Sequence, residues 1–535
     1  MCVSLTSLIS RLLAAALLTF TGTAQALTAA DALLLATGDN DERIALMSQL
    51  SAGDDAQAHA LIRALGEDRV RIQEEMVLIA NDEQAVDAVS GAPVRLTDMA
   101  EDASVNNRLR GAIEVALAGV DVLRGTPDQQ LAAARILQRG AFDDPQLSQL
   151  PLLQRALAQP KLSDETQQLL LLASAAVALQ SDDVAVRLDA ARKLGEAKRA
   201  VVRPLLLQAQ ASELDEGVQK TLKASLAAVD RALLFSNVLA QLFTGVSLGS
   251  ILLLAALGLA ITYGLMGVIN MAHGELIMIG AYATWLVHVA FRQWLPDFFD
   301  LYLWVAMPVA FLTSALVGVL MERCVIRFLY GRPLETLLAT WGISLVLMQT
   351  VRTLFGAQNV GVENPGWMSG SVLLMGNLSL PWNRILIITF TIAVLLGVAL
   401  LISKTRLGLF VRGVTQNRPI AACMGVNTAR VDTYAFALGS GVAGLAGCAL
   451  SQIGNVGPDL GQNYIVDSFM VVVLGGVGQL AGTVYAALGL GVLNKFIEGW
   501  AGAVLAKIAV LIFIIIFIQK RPQGIFAMKG RSAQS

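Results

Sequence analysis

Charge is in short supply in this chain. Of its 535 residues, 15% are Asp, Glu, Lys or Arg and 55% are apolar, and the formal net charge is −2. An ordinary soluble domain carries roughly a quarter of its residues as charges. The apolar excess excludes a disordered chain, and the near balance of sign excludes a bulk attraction to nucleic-acid phosphate. Cysteine is equally sparse: Cys2, Cys324, Cys423 and Cys448 are the full set. None stands in a C-x-x-C pair or at a His/Cys spacing that binds zinc, so no metal site is expected. A G-x-x-x-x-G-K-[S/T] phosphate loop is missing as well, so the chain is not expected to hydrolyse ATP by that means. Nothing calls for a cofactor, and no catalytic constellation is visible.

Tryptophan and tyrosine are absent from the first 235 residues; all seven of each come later, with 36 of the 47 glycines. Charge splits at the same place, summing to −9 before residue 236 and +7 after it. Two different materials share one chain. At the amino terminus, Arg11 precedes an apolar run, Leu12–Phe20, and then Ala24-Gln25-Ala26. The run is too short to cross a bilayer, and the small-x-small triplet reads as an export signal cut after Ala26. Residues 27–235 are then expected to form a soluble, all-helical, extracytoplasmic domain. In Val184–Leu194, helical spacing places Val184, Leu188, Ala191 and Leu194 on one stripe. Ser163-Asp164 and Ser181-Asp182-Asp183 supply caps. Asp39–Leu50 and Asp182–Leu194 share an acidic opening, an Arg and an apolar stripe, and the latter looks like a HEAT-type repeat, a unit that stacks into solenoids. His59 is expected on a solvated helix face. The domain reads as a spacer or docking platform for an exported partner.

Residues 236–535 read as a polytopic membrane domain. Apolar stretches of spanning length recur near 238–264, 272–291, 301–321, 336–354, 384–403, 433–453, 465–480, 483–499 and 503–519. The pair around Gly475–Gly482 is open to reading as one broken or re-entrant element. Twelve basic residues cluster in Glu322–Pro333, Ser403–Asp432 and the tail from Lys520 onward, which the positive-inside rule places in the cytoplasm. Nine crossings from an exported start end inside, in agreement with the signal. Trp294, Trp304, Trp367, Trp382 and Trp500 fall near span ends as an interfacial belt. Gly439, Gly441, Gly444 and Gly447, and Gly475, Gly476 and Gly478, permit close helix approach or an unwound stretch.

Polar groups inside such a domain are costly and generally face a cavity or a partner. The candidates for a solute path are Tyr263, Asn270, His273 and Glu275, on a glycine-broken stretch joining the first two spans, with Asn455 and Asp467 further on. His273 also reads as a simple cytoplasmic-end residue and Asp467 as a helix cap.

These residues carry a resemblance. Leu248-Gly249-Ser250, Tyr263-Gly264, Gly267, Ile269-Asn270-Met271-Ala272-His273-Gly274-Glu275 and Met278-Ile279-Gly280 resemble the permeases of branched-chain amino acid ABC transporters. So do Thr405-Arg406-Leu407-Gly408, Arg412, Ala421 and Gly425-Val426-Asn427-Thr428, and the likeness covers residues 240–528. The exported extension and the stretch Gly454–Thr483 resemble the urea-transporting branch. The resemblance implies an all-α, multi-pass inner-membrane permease that works with a second permease, two ATP-binding subunits and a periplasmic solute-binding protein. It also implies a short cytoplasmic helix that docks on the ATPase, beginning near Asn417, with Ala421, Ala422 and Gly425 as its small surface and Arg406, Gly408 and Arg412 beside it. An acidic pair is common in the amino acid permeases where Gln416 and Asn417 stand here, which leaves the choice of ATPase open. A neutral solute suits a path without an obvious cation. The alternatives are a branched-chain amino acid or short amide as cargo, or a passive urea channel.

Overall fold

The computed structural model describes residues 27–526 apart from Asp82, Glu83, Asp98, Met99, Val268, Met375, Gly376 and Pro522. The expected export signal and its cleavage site lie outside the described residues. The chain divides after Leu234 into two compact units.

The first unit opens with α1 (Ala29–Thr37), α2 (Asn40–Ala52) and α3 (Ala56–Gly66). Their starts are set chemically. Thr28 and Asp31 form a capping box, and the carboxylates of Asp39 and Asp55 accept from Asp41 and Gln57 backbone N–H groups. Then come α4 (Asn107–Arg124), α5 (Pro127–Asp143), α6 (Leu150–Leu157), α7 (Asp164–Ala178), α8 (Val184–Ala197) and α9 (Arg203–Ser212). Ser163 caps α7 and Asp183 caps α8. Ala191 and Leu194 of the expected stripe are buried and Leu188 is partly so, but Val184 is exposed at the helix start.

Two expectations for this region are corrected. It is not all helical: between α3 and α4 lies a five-stranded antiparallel sheet in the order β4-β3-β2-β1-β5. Its strands are β1 (Val70–Gln73), β2 (Met76–Asn81), β3 (Gln84–Asp87), β4 (Pro93–Val94) and β5 (Glu101–Asp102). The reason is local. Val70, Ile72, Val77 and Ile79 alternate with other residues at period 2, and β-branched side chains favour the pleated surface. Gln73 pairs with Met76, so Glu74 and Glu75 form a two-residue turn with φ of 49° and 67°. The average abundance of Ala and Leu across the region masked this short stretch. His59 is the second correction: it is buried on the inner face of α3, with Nε2 unpartnered, rather than solvated. Helix period explains it, since Ala58, Leu61, Ile62 and Leu65 share the buried side.

The long helix α10 (Glu216–Met266) contains the boundary between units. Its first part gives Val218, Leu222, Leu226 and Val229 to the core formed with α8 and α9.

In the second unit, α11 (His273–Trp294), α12 (Tyr302–Cys324), α13 (Pro333–Phe355) and α14 (Trp382–Lys404) follow the rest of α10. A hairpin of β6 (Ser371–Leu374) and β7 (Leu378–Pro381) stands between α13 and α14. Two short helices, α15 (Arg406–Gln416) and α16 (Arg418–Cys423), lead to α17 (Thr428–Ser451), α18 (Leu460–Gly475), α19 (Leu480–Ala501) and α20 (Ala503–Lys520). Among the described residues, eight helices are long and apolar enough to cross a membrane, and α18 is a shorter apolar helix. The five Trp residues of the expected belt are all exposed; Trp294, Trp304, Trp382 and Trp500 sit at or near helix ends, and Trp367 lies in the connection between α13 and α14.

The glycines of α17 serve packing. A side chain at Gly439 would strike the Gly258 carbonyl of α10, one at Gly444 the Ala310 carbonyl of α12, and one at Gly447 the Ile277 carbonyl of α11. Small residues thus let four helices approach backbone to backbone, as in membranes, where packing rather than water drives association. Gly476 and Gly478, with φ of 99° and 77°, form the turn between α18 and α19.

Candidate functional site

The chain between α10 and α11 does not simply turn around. Gly267, at φ 64°, ends α10 by donating its N–H to the Tyr263 carbonyl at 2.9 Å. The chain then runs back along α10, because the His273 Nε2 lies 2.9 Å from the Ala255 carbonyl oxygen, three turns before the end of that helix. At about 1.5 Å per residue, α11 therefore begins about 16 Å inside the bundle, about half the ~30 Å hydrocarbon thickness.

A second helix starts at the same depth. Gly274 and Gly461 are in backbone contact, so the first turns of α11 and α18 abut. The other end of α18 reaches Gly482, Gln523 and Phe526, beside the end of α20. The two half-depth helices leave their junction in opposite directions, one toward each end of the bundle. Each helix start carries unpaired N–H groups and a partial positive charge.

Irregular backbone within a membrane bundle needs partners, because lipid offers it none. Here α13 supplies them. Thr336, Thr340 and Ser344, spaced four apart, form a buried hydroxyl stripe. Thr340 Oγ1 accepts from Met271 N at 3.2 Å and lies 3.4 Å from the Ile269 carbonyl oxygen. Ser344 Oγ donates to Glu275 Oε1 at 2.9 Å. Asn270 Oδ1 accepts from Ala272 N at 3.1 Å.

What remains unpaired is chemically specific. Asn270 Nδ2, His273 Nδ1, Glu275 Oε2 and the Tyr282 hydroxyl are buried without partners. A carbonyl only accepts, so His273 carries its proton on Nε2 and presents Nδ1 as an acceptor. Glu275, Met278 and Tyr282 lie on one face of α11, and Tyr282 stacks on Phe355 at a centroid distance of 4.9 Å. Buried polar groups ordinarily find partners. A cluster that keeps both donors and acceptors in reserve can exchange them with a small hydrogen-bonding solute. Beside it, Arg352 pairs with Asp459, at the start of α18, at 3.0 Å.

Asn270, His273 and Glu275 all sit buried on the fold-back and first turn of α11, His273 turned to α10 and Glu275 to α13, and the other path candidates lie elsewhere. Tyr263 is partly buried and packs against the apolar cluster that α10 forms with α18 and α19. Asn455 is exposed on the segment before α18. Asp467 lies inside α18 instead of capping it, and lines a separate cleft with Asn494 and Lys507. The hydroxyl stripe, Tyr282 and the Arg352–Asp459 pair were missed in the sequence. The spacing Thr336-x-x-x-Thr340-x-x-x-Ser344 was the available signal, three hydroxyls at helical period in an apolar span.

The segment between α14 and α17 is built as follows. Thr405 caps α15, and a side chain at Gly408 would strike the Ile402 carbonyl. Arg406 is the first residue of α15, and Arg412 donates Nε–H to the Gly408 carbonyl at 3.3 Å. Asn417 caps α16, its Oδ1 accepting from Ile420 N at 3.1 Å, and Gly425 follows the helix at φ 83°. One expectation is corrected: Ala421 is not part of an exposed small surface. It packs inward with Val411, Val414, Val431 and Ala435. Ala422 and Gly425 are exposed, together with Ile420 and Met424. The cause is rotational phase: in a helix of under two turns, burying position 421 turns 420, 422 and 424 outward.

Residues 241–519 match the family described as branched-chain amino acid transport system / permease component. The chain is similar to the high-affinity branched-chain amino acid transport system permease protein BraD of Pseudomonas aeruginosa. The two are 28% identical over 291 residues, covering 54% of this chain and 95% of BraD. It is similar to LivH of Salmonella typhimurium at 28% identity, covering 54% of this chain and 96% of that protein. A probable LivH of Methanocaldococcus jannaschii is 26% identical, with 52% and 88% covered. No solved structure matches.

Proposed function

Since this chain belongs to the family of branched-chain amino acid transport system permease components, a family of transport proteins rather than enzymes, we propose that it forms the translocation path of a binding-protein-dependent ABC importer. Its site is the half-depth junction of α11 and α18. The observation that carries this reading is the set of unpartnered buried groups there, Asn270 Nδ2, His273 Nδ1 and Glu275 Oε2. Buried donors and acceptors without a protein partner cost free energy, and a solute that matches them recovers it. The energy comes from separate ATP-binding subunits, which meet the exposed Ile420, Ala422, Met424 and Gly425 of α16. A second permease subunit completes the membrane assembly, and an exported solute-binding protein delivers the cargo. Residues 27–235 lie outside the bacterial inner membrane and retain that binding protein over the path.

Urea is the proposed cargo. It is small and neutral, and its two amino groups and one carbonyl match a site of acceptors and a single amide donor. The amino-terminal unit supports this assignment. The matched relatives are covered almost end to end by about half of this chain, and the remaining residues before 241 have no counterpart in them. That extension is what resembles the urea-transporting branch. A second reading has an observation of its own. The abutting starts of α11 and α18 present a partial positive charge that suits a carboxylate, while Glu275 suits an ammonium, so a branched-chain amino acid also fits.

The test is uptake of labelled urea at micromolar concentration in cells lacking this chain, with and without its restoration. Excess unlabelled leucine is the competitor. Restored, energy-dependent uptake that leucine does not reduce is the expected result. Leucine uptake restored in place of urea uptake keeps the importer and replaces the cargo. Urea uptake that survives energy depletion identifies a passive channel and removes the importer reading.

A further inference from the structure

The end of the bundle that carries α16 holds a second polar cluster, and the solute site does not use it. Glu322, in the last turn of α12, has a fully buried side chain. Its Oε2 accepts from Thr433 Oγ1 at 2.8 Å and lies 3.3 Å from Arg327 Nη2. Its Oε1 lies 3.2 Å from the Tyr330 hydroxyl oxygen, which is also 3.0 Å from Met266 Sδ. Arg327 Nη2 donates to Thr433 Oγ1 at 3.1 Å. On the other side of Tyr330 stands Arg418, the first residue of α16. Its guanidinium carbon is 4.9 Å from the Tyr330 ring centroid, and it forms an ion pair with Asp432, whose side chain is 3% exposed.

Two arginines and two buried carboxylates thus join five pieces of chain: α16, the first turns of α17, the end of α12, the 325–332 connection and the last residue of α10. Two features separate this cluster from ordinary packing. The first is the poverty of other anchors on α16. Of its six residues only Ala421 is buried, so Arg418 is its main polar tether. The second is where the chain of contacts ends. Met266 immediately precedes Gly267, where the chain folds back toward Asn270 and His273. Charged and cation–π contacts are directional, and a buried carboxylate that loses its partner is strongly destabilised, so such a cluster moves as a unit.

We propose that Arg418, Asp432, Tyr330 and Glu322 form the link that carries a displacement of α16 to the fold-back at Met266–His273, with Arg418 and Tyr330 as positioning residues. The proposal rests on the importer reading. A pull on α16 is transmitted through the ion pair and the ring to the buried Glu322 and to Met266. There it shifts the segment whose Asn270, His273 and Glu275 face the solute.

The experiment reconstitutes the complete transporter in vesicles, with its ATP-binding and solute-binding subunits, and measures solute imported per ATP hydrolysed. Arg418→Ala removes the tether. Tyr330→Phe keeps the ring and the Arg418–Asp432 pair but removes the hydroxyl that reaches Glu322 and Met266. Both are expected to co-purify with the ATP-binding subunits and to keep ATP hydrolysis within about twofold, while import per ATP falls at least tenfold. Arg418→Lys keeps the charge and is expected to recover part of that ratio. If Arg418→Ala and Tyr330→Phe both retain the unmodified ratio, the link is refuted. It is refuted equally if hydrolysis, import and assembly fall together in both, which is the pattern of a purely structural role. If the unmodified assembly shows no nucleotide-driven import, the importer reading fails first and takes the link with it.

Discussion

Replacing Gly274 by alanine tests whether the junction of α11 and α18 is the working site. A Cβ at Gly274 would lie 2.5 Å from the Gly461 carbonyl oxygen and 2.8 Å from its carbon. Carbon–oxygen contacts settle at about 3.3–3.6 Å, so the helix starts must part by about 1 Å. Overpacking of this kind costs about 1–3 kcal/mol. At 1.4 kcal/mol per factor of ten, a conformation that needs the two ends in contact loses about 5- to 140-fold in population. The flexible tip of a side chain moves aside cheaply; here the obstacle is backbone on both helices. Gly397→Ala in α14 is the control, because nothing lies within 4 Å of its Cβ. That change leaves only the helix-propensity gain of about 1 kcal/mol. The assay is initial-rate uptake, normalised to the amount of chain in the membrane, with thermal unfolding in detergent alongside. Gly274→Ala is expected to lose at least fivefold in uptake and several degrees in melting temperature, and Gly397→Ala to lose neither. Equal uptake by the two variants would refute the assignment of the junction as the path.

Three further expectations concern other parts of the chain. Glu74 and Glu75 both hold left-handed backbone, which costs a non-glycine residue about 1–2 kcal/mol. Glu74→Asn with Glu75→Gly should therefore slow amide exchange in β1 and β2, and no change in protection would show the turn to be unstrained. Burial holds the His59 imidazole below its ordinary range. Below pH 6.5 the unfolded chain takes up a proton that the folded chain resists, so stability around α3 should fall as pH drops from 6.5 toward the depressed value. Hydrogen exchange of residues 56–66, corrected for intrinsic rates, should show this fall, and His59→Leu should flatten it. Tyr302 donates its hydroxyl at 2.8 Å to the Glu363 carbonyl, and that hydroxyl lies 3.0 Å from Gln452 Oε1. Tyr302→Phe should cost about 1 kcal/mol and raise exchange in residues 357–366, and unchanged exchange there would show that other contacts hold the segment.

The membrane unit was largely legible in the sequence because length and apolarity alone decide what spans a bilayer. Its nine expected spans correspond to eight long helices and the short α18, and the exception has a cause. Helix α18 is brief because its start is joined to that of α11 at half depth, a tertiary fact that no window of hydropathy contains. The fold-back was legible as a polar, glycine-broken stretch, since Gly267, Asn270, His273 and Glu275 stand too close together for a plain loop between spans. Its partners were not, because Thr340 and Ser344 lie about 70 residues away and look like ordinary helix hydroxyls until the backbone they serve is in place. Asp467 was misjudged for the same reason: depth along a helix is not visible in sequence. The Glu322–Arg418 cluster was hidden more thoroughly, since its arginines already had a sufficient explanation as the charged end of the bundle. In the first unit, composition favoured helix everywhere, and a run of four or five alternating residues is too short to outvote it.

The depth at which α11 begins has an electrical consequence. If the membrane voltage falls evenly across the hydrocarbon, the junction stands near the midpoint of the drop. Carrying one elementary charge through the whole field involves about 2.3 kcal/mol per 100 mV, so reaching the junction involves about half of that, a factor of roughly seven in occupancy. Urea and an amino acid zwitterion both lack net charge and escape this bias on the way in and on the way out. The voltage then acts as a sieve laid over the chemical site, disturbing the occupancy of stray ions while leaving the proposed cargo untouched. On the importer reading proposed above, transport through this chain would then be insensitive to the membrane potential.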